Sequence, residues 1–428
     1  MTGPELVRTI GRWTLAGLVL NGILGSAIYG LPSRVGADLG AGAPLAWLLA
    51  ALLIGVIAAC FAEVSSRFTG AGGPYLYVHA TYGRFAGIQT GWLTYLARLT
   101  AAAGNANIFV IYLGEFWPGA SGRLAAVAVV ALVMAALAGV NYRGVQAGAG
   151  VSSGFAAVKL GSLGVFILIG LVWFLGHGSV GAAPAPREAG PWIGLLLPMV
   201  FAYGGFEAAL LPLGEAKDPR RDAPFALFVA LLGVAVVYLL AQLVVTVTLP
   251  DPGATERPLA TSARVFLGGA GAAFMAVCAL LSTFGYLAGA MVNVPRLTYA
   301  MAERRDLPAV FGSVHPRFRT PFVSILFFAI LVWLLASSGS FIQNLRISAA
   351  SRLITYGLVC AAVPVLRRRD GTPGGPEPAA FRLPAGNAIA AVGIAFMALT
   401  IFQMTAWEAA LLGIVVALAA VHWWQVKK

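Results

Sequence analysis

Charge is scarce in this chain. Only 10% of its 428 residues are Asp, Glu, Lys or Arg, against about 25% in a soluble domain. There is no extended polar stretch that could form a separate soluble domain. The longest polar linker, 367–384, is rich in Pro and Gly. Histidine is rarer still. Four scattered His residues, with no HExxH or GxSxG stretch, offer no metal-ligand set and no nucleophile with its base, which argues against a membrane-embedded enzyme. No phosphate-cradling Gly-rich loop ends in a lysine, so ATP is not read as the energy source. No repeated filter or charged ring suggests a channel. Cys60, Cys278 and Cys360 all fall in apolar runs. An odd, scattered set gives neither a disulfide framework nor a metal site, and the three are read as small core residues. Neither a cofactor nor a metal is called for.

What the chain has instead is apolar length. Hydrophobic residues make up 59% of it and its mean hydropathy is +0.85. A membrane-crossing helix needs about 20 apolar residues. Twelve spans are expected, near 10–33, 42–66, 80–114, 123–141, 150–176, 191–214, 223–249, 264–302, 320–337, 341–365, 385–405 and 407–425. The third and eighth are long enough to tilt or to project past the bilayer. Arg8 and Arg12 precede an apolar run without a small-residue cleavage site, so the first segment is read as retained rather than as a signal peptide. The whole of 1–428 is thus expected to be one polytopic all-α membrane domain.

The net charge of +12 is explained by where the cations lie. With both termini placed inside, nineteen of the 28 Lys and Arg residues fall on the inner side, among them Arg8, Arg67, Arg84, Arg143, Arg367–Arg369 and Lys427–Lys428, and five on the outer side. This is the positive-inside asymmetry. It supports an even span count and cytoplasmic termini, and removes the need for a nucleic-acid partner. The remaining four, Arg98, Lys159, Arg346 and Arg352, lie inside spans or at a span edge.

Two of the spans are punctuated by glycine at mid-length. Gly22-Ile23-Leu24-Gly25-Ser26-Ala27-Ile28 interrupts the first, and Phe201-Ala202-Tyr203-Gly204-Gly205-Phe206-Glu207 the sixth. Glycine weakens a helix interior and lets the backbone turn. Unwound backbone is tolerated at membrane depth only inside protein or against a wet cavity. Matching breaks in the two halves of a bundle therefore point to a central substrate site. The competing reading is that these glycines only allow close helix packing.

Several stretches resemble the amino acid–polyamine–organocation superfamily of permeases. They are Leu24-Gly25-Ser26-Ala27-Ile28-Tyr29 with Pro32, where Ala27 replaces a usual glycine; Glu63-Val64-Ser65-Ser66-Arg67-Phe68 with Gly72-Gly73-Pro74-Tyr75; Phe201–Glu207 with Gly214-Glu215-Ala216-Lys217-Asp218-Pro219; Pro295-Arg296 with Tyr299-Ala300-Met301-Ala302 and His315-Pro316-Arg317; and Pro364-Val365-Leu366-Arg367-Arg368. They occur in the family's order over nearly the whole chain. The resemblance implies a LeuT-like fold with broken helices 1 and 6: two inverted five-helix repeats, 1–180 and 190–365, and two further helices in 384–428.

The resemblance also implies roles, and the physics of broken helices supports them. A half-helix N-terminus offers free N–H groups and a positive dipole end, and a half-helix C-terminus offers free carbonyls. Ser26, Ala27 and Ile28, at the Gly25 turn, are expected to offer amides to a carboxylate. Ile23, Phe201, Ala202 and Gly204 are expected to offer carbonyls to an ammonium. Phe201 matches the family's aromatic gate, with an ordinary core Phe as the alternative. Lys159 takes the place where sodium-coupled relatives hold sodium, as a standing cation or a proton carrier. Glu207 is read as either a coupling carboxylate or a structural one. Glu63 and Arg67, at i and i+4, are expected to pair on the inner face, and Asn105 and Asn107 to hydrogen-bond across helices.

The expected function is secondary active transport of a zwitterionic amino acid by alternating access across the cell membrane, proton-coupled or by exchange. The apolar lining around Gly204-Gly205 favours a neutral substrate. A polyamine or organic-amine permease of the same fold is the alternative. A partner subunit is left open.

Overall fold

The computed structural model describes residues 10–70, 72–144, 149–181, 183–208, 210, 213–372 and 376–426; Arg8, Lys427 and Lys428, used in the sequence argument, lie outside them. The described residues are overwhelmingly helical and include no strand, only an isolated bridge between Ile10 and Ala216. In chain order the helices are α1 (Arg12–Ile23), α2 (Ala27–Leu39), α3 (Ala43–Ser65), α4 (Gly73–Tyr82), α5 (Arg84–Leu113), α6 (Arg123–Tyr142), α7 (Ala149–His177), α8 (Ala189–Gly194), α9 (Leu196–Tyr203), α10 (Pro219–Thr248), α11 (Pro258–Glu303), α12 (Phe322–Ser338), α13 (Phe341–Arg368), α14 (Gly386–Ile401) and α15 (Ala406–Val426). Eight helical stretches among the described residues are long and apolar enough to cross a membrane by length and composition, and three shorter apolar ones accompany them. The protein is an all-helical, polytopic membrane protein.

Local chemistry sets the helix ends. Proline stands in the first turn of α3, α4, α10 and α11, where the missing N–H would have had no helical partner. Ser340 and Gln343 form a reciprocal capping box at the start of α13, which satisfies two otherwise orphaned amides.

Two expected spans need correction, and the sixth breaks where expected. The third does not start at 80: residues 73–82 form the separate α4, and the chain turns at Gly83, whose φ of 88° suits glycine. The eighth is not one straight helix, because Gly268 adopts φ 65°, ψ −157° inside α11 and divides it. The sixth loses regular α-helix after Tyr203 and continues as short 3₁₀ turns at 206–208 and 213–215.

Packing sorts the helices into two apolar bodies. The larger core joins α1, α2, α3, α9, α10, α13 and α14 with residues of α4, α5, α7, α15 and the earlier part of α11. A second joins one face of α5 with α6, the later part of α11 and α12. Large apolar side chains cover the outside, with Leu124 87% and Phe402 86% exposed. Such an apolar exterior is what lipid tails cover.

One end of the bundle is closed by buried ions. Arg367 donates two hydrogen bonds to Glu63, Nε to Oε1 at 2.7 Å and Nη2 to Oε2 at 2.6 Å. The Leu383 amide donates to the same carboxylate at 2.9 Å. The expected Glu63–Arg67 pair is present at 3.5 Å, and Arg67 also hydrogen-bonds Asp370. That bond holds the Asp370 carboxyl below the usual carboxylate range. A carboxyl whose pKa falls on folding stabilises the fold above its unfolded value, about 3.9 for Asp. The contribution is lost as pH drops through the lower, folded value. Asp370→Asn is therefore expected to lower the melting temperature at pH 7, with the gap to wild type narrowing toward pH 3. An equal gap at both pH values would show that this carboxyl is not linked to folding.

Candidate functional site

Helical hydrogen bonding stops at both glycine-marked stretches. At the end of α1 the Leu24 amide still donates to the Leu20 carbonyl (2.9 Å). Leu24 then leaves helical geometry at φ −68°, ψ 89°, and α2 starts at Ala27. In α2 the Ser26 carbonyl accepts the amides of Tyr29 and Gly30, both at 3.1 Å. The first-turn amides of Ala27 and Ile28 thus face the break, as any helix start requires. In the second stretch Gly204 turns to φ −73°, ψ 163° after α9, and Gly205 to φ 110°.

The two breaks touch. A methyl group built on Gly205 would collide with the Gly22 carbonyl, and one on Gly22 would lie 3.1 Å from the Gly205 oxygen. Here glycine serves backbone-to-backbone contact as well as chain turning, so the close-packing reading holds for Gly22 and Gly205. Gly25 differs: a methyl there meets only Tyr286 and Asn105 atoms at 3.8–3.9 Å, ordinary contact distance.

Between the breaks lies a cavity of about 10 Å³, bounded by Gly25, Ser26, Phe201, Gly204, Asn105 and Arg352 among others. That is room for roughly one water. Ala27 lines it too, whereas Ile28 is buried one residue further into α2 and Ala202 in the last turn of α9. Two of the expected carbonyls already have a donor. The Ile23 oxygen accepts from the Tyr238 hydroxyl (3.2 Å) and the Phe201 oxygen from the Gly204 amide (3.1 Å), each keeping a second lone pair. The Ser26 hydroxyl and the Asn105 side-chain oxygen are buried without a partner. Asn105 donates within its own helix, to the Ala101 carbonyl at 2.9 Å, which corrects its expected cross-helix role. Asn107 does reach across, to the Ala336 carbonyl at 2.8 Å, and accepts from Asn344 at 2.9 Å.

Lys159 is buried, and its ammonium donates to the Leu24 carbonyl (2.9 Å) and to Asn21 Oδ1 (3.1 Å). The Lys159 side chain thus sits on the carbonyl end of the first break. Glu207 lies behind the second. Its Oε2 accepts from the Gly205 amide (2.8 Å) and the Tyr356 hydroxyl (2.7 Å), and its Oε1 faces Arg352 Nε at 3.4 Å and Arg98 Nη2 at 3.7 Å. The expectation of an apolar lining around Gly204-Gly205 is therefore wrong at this wall. Arg352, on α13, borders the cavity itself, and its guanidinium carbon stands 5.8 Å from the centre of the Phe201 ring, within cation–π range. Arg346, the other charge read at the start of α13, turns away to Glu408, with bonds of 2.5 and 3.0 Å.

A larger cavity of about 510 Å³ lies beside α2, bordered by Arg34, Asn107, Glu256, Ser340 and Phe341. Phe341 and Phe201 meet edge to face, ring centres 6.3 Å apart. Since Phe341 borders the large cavity and Phe201 the small one, this pair stands in the wall between them. Sequence reasoning passed over Phe341, Tyr238 and Tyr286; aromatic residues in apolar helices carry no signal of which way they face.

Snapped membrane helices that meet around a buried polar cavity define the core of a solute transporter. The model of the family described as "Amino acid permease" matches residues 10–421, and the chain belongs to that family. It is 31% identical to an uncharacterized transporter of Mycobacterium tuberculosis over 87% of this chain and 89% of that protein. It is 28% identical to the serine/threonine exchanger SteT of Bacillus subtilis, over 85% and 84%. It is likewise 28% identical to the human large neutral amino acids transporter small subunit 2, over 85% and 71%.

Proposed function

We propose that this protein carries an α-amino acid across the cell membrane by alternating access, gripping both charges of the zwitterion with backbone. The carboxylate is assigned to the amides of Ser26, Ala27 and Ile28. The ammonium is assigned to carbonyls of Ile23, Phe201, Ala202 and Gly204. The observation that carries this reading is the pair of abutting helix breaks, which sets an amide end and a carbonyl end against one cavity. No side-chain charge is required for that grip, which suits a ligand that must also be released. The Phe201–Phe341 pair serves as the gate between the cavity and the vestibule. We place the helices in twelve crossings, as two inverted five-helix repeats and two further helices, with both termini cytoplasmic. The basic end around Glu63 and Arg367 is then the inner face, and the vestibule opens outward. Lys159 and Glu207 are assigned to coupling, in a proton-coupled or an exchange cycle.

Uptake into proteoliposomes, with and without a pH gradient, tests the grip. An amino acid is expected to compete at least tenfold better than the amine formed by its decarboxylation. Losing one charge-assisted hydrogen-bond set costs about 1.5–3 kcal/mol, and 1.4 kcal/mol is tenfold. Equal competition by the amine would favour an organic-amine permease and overturn the assignment of the α2 amides.

A further inference from the structure

Three cations, the buried Lys159 and Arg352 and the partly buried Arg98, surround the two breaks, and the two arginines share one acid. Lys159 is bonded to neutral oxygens only, a carbonyl and an amide. Arg98 and Arg352 form their ion pairs, among the described residues, with Glu207 alone. Glu207 has already committed Oε2 to the Gly205 amide and the Tyr356 hydroxyl. The remaining oxygen faces both guanidiniums at 3.4 and 3.7 Å, too far for well-formed charged hydrogen bonds, which run about 2.7–2.9 Å. Arg352 Nε and Arg98 Nε and Nη2 are buried and have no hydrogen-bond partner among the described residues. The Arg352 side chain is only 4% exposed. A buried charge left partly unpaired is costly, and a guanidinium has five donors in a fork that matches a carboxylate.

Arg352 also occupies the space a ligand would use. It borders the same cavity as Gly25 and Ser26, and a methyl group on Gly204 would overlap its Nη1. A neutral zwitterion entering there adds no net charge, so the excess of positive charge persists. A ligand with a second carboxylate removes part of it and fills the open donors.

We propose that Arg352, backed by Arg98, receives a side-chain carboxylate, so that this site takes a short dicarboxylic amino acid in preference to a neutral one. This rests on the reading above that the α2 amides hold the α-carboxylate. Arg352 is then the specificity residue. Its reorientation from Glu207 toward the ligand is what makes room in a cavity of about 10 Å³. Arg98 stays behind to neutralise Glu207.

Binding of labelled L-glutamate and L-aspartate to the purified protein, displaced by unlabelled L-glutamine and L-asparagine, tests this without any variant. The acids differ from their amides in charge and hardly in size. The acids are expected to bind at least tenfold tighter. Arg352→Gln is expected to bring acid and amide within about threefold of each other, with neutral amino acids still bound, and Arg352→Lys to restore part of the preference. Amides that bind as tightly as the acids overturn this inference and leave the zwitterion site standing. If neither acids nor amides bind while an apolar amino acid does, this inference falls and the zwitterion site stands; if no amino acid binds, both readings fail. A preference that persists unchanged in a folded Arg352→Gln protein overturns the assignment to Arg352.

Discussion

Gly205→Ala is expected to abolish uptake and to lower stability in detergent by about 3 kcal/mol or more, combining a strained backbone at positive φ with an overpacked contact. The reason is specific. Gly205 sits at φ 110°, and an added methyl would run into the Gly22 carbonyl of the other broken helix. The neighbour cannot relax by rotating a side chain, because it is backbone. Relief would have to separate the two breaks, which are the two walls of the cavity. Gly25→Ala is the matched control. It lies in the first break and faces the same cavity, yet a methyl there finds its nearest neighbours at ordinary contact distance. It is expected to leave melting temperature within a degree or two of wild type and to act on ligand affinity alone. Uptake together with thermal unfolding separates the two. Wild-type uptake by Gly205→Ala would mean that the contact between the breaks is dispensable.

Lys159→Ala is expected to reduce uptake at least tenfold while the protein still inserts and purifies. The ammonium makes two charged hydrogen bonds, to the Leu24 carbonyl and to Asn21, and such bonds are worth about 1.5–3 kcal/mol each. The Leu24 carbonyl belongs to the orphaned end of α1. Without the lysine, that end of the break loses its cation and the spacing between α1 and α7 is no longer pinned. The effect on transport should exceed the effect on folding, because Leu163, Phe166 and Ile167, the apolar side chains by which α7 packs into the large core, are left in place. Uptake measured across a pH range adds a readout that a purely structural role would not move. A variant with unchanged rate and unchanged pH profile would remove Lys159 from coupling.

The positions of the two breaks were legible because their cause is local. Gly22 and Gly25 in the first apolar run, and Gly204 and Gly205 in the sixth, weaken the helix where they stand. The structure leaves helical geometry within a residue or two of them. The Glu63–Arg67 pair was legible for the same reason, as an i,i+4 spacing on one helix. Its larger network was not: Arg367 and the Leu383 amide come from the far end of the chain. The same limit applied at the site. Arg98, Glu207 and Arg352 each stood out as a charge in an apolar run, yet nothing in their spacing says that they meet. Reading them singly produced the expectation of an apolar cavity wall, and bringing α5, the 206–208 turn and α13 together reversed it.

The sequence by itself determined that the chain lives in lipid, where its helices run and where two of them snap, since hydropathy and glycine act over a few neighbouring residues. Tertiary structure alone decided that the two breaks abut, that Phe201 meets Phe341 and that two arginines share one glutamate. Those arrangements depend on how whole helices pack, and ionic attraction in a low-dielectric interior acts across space with no regard to distance along the chain.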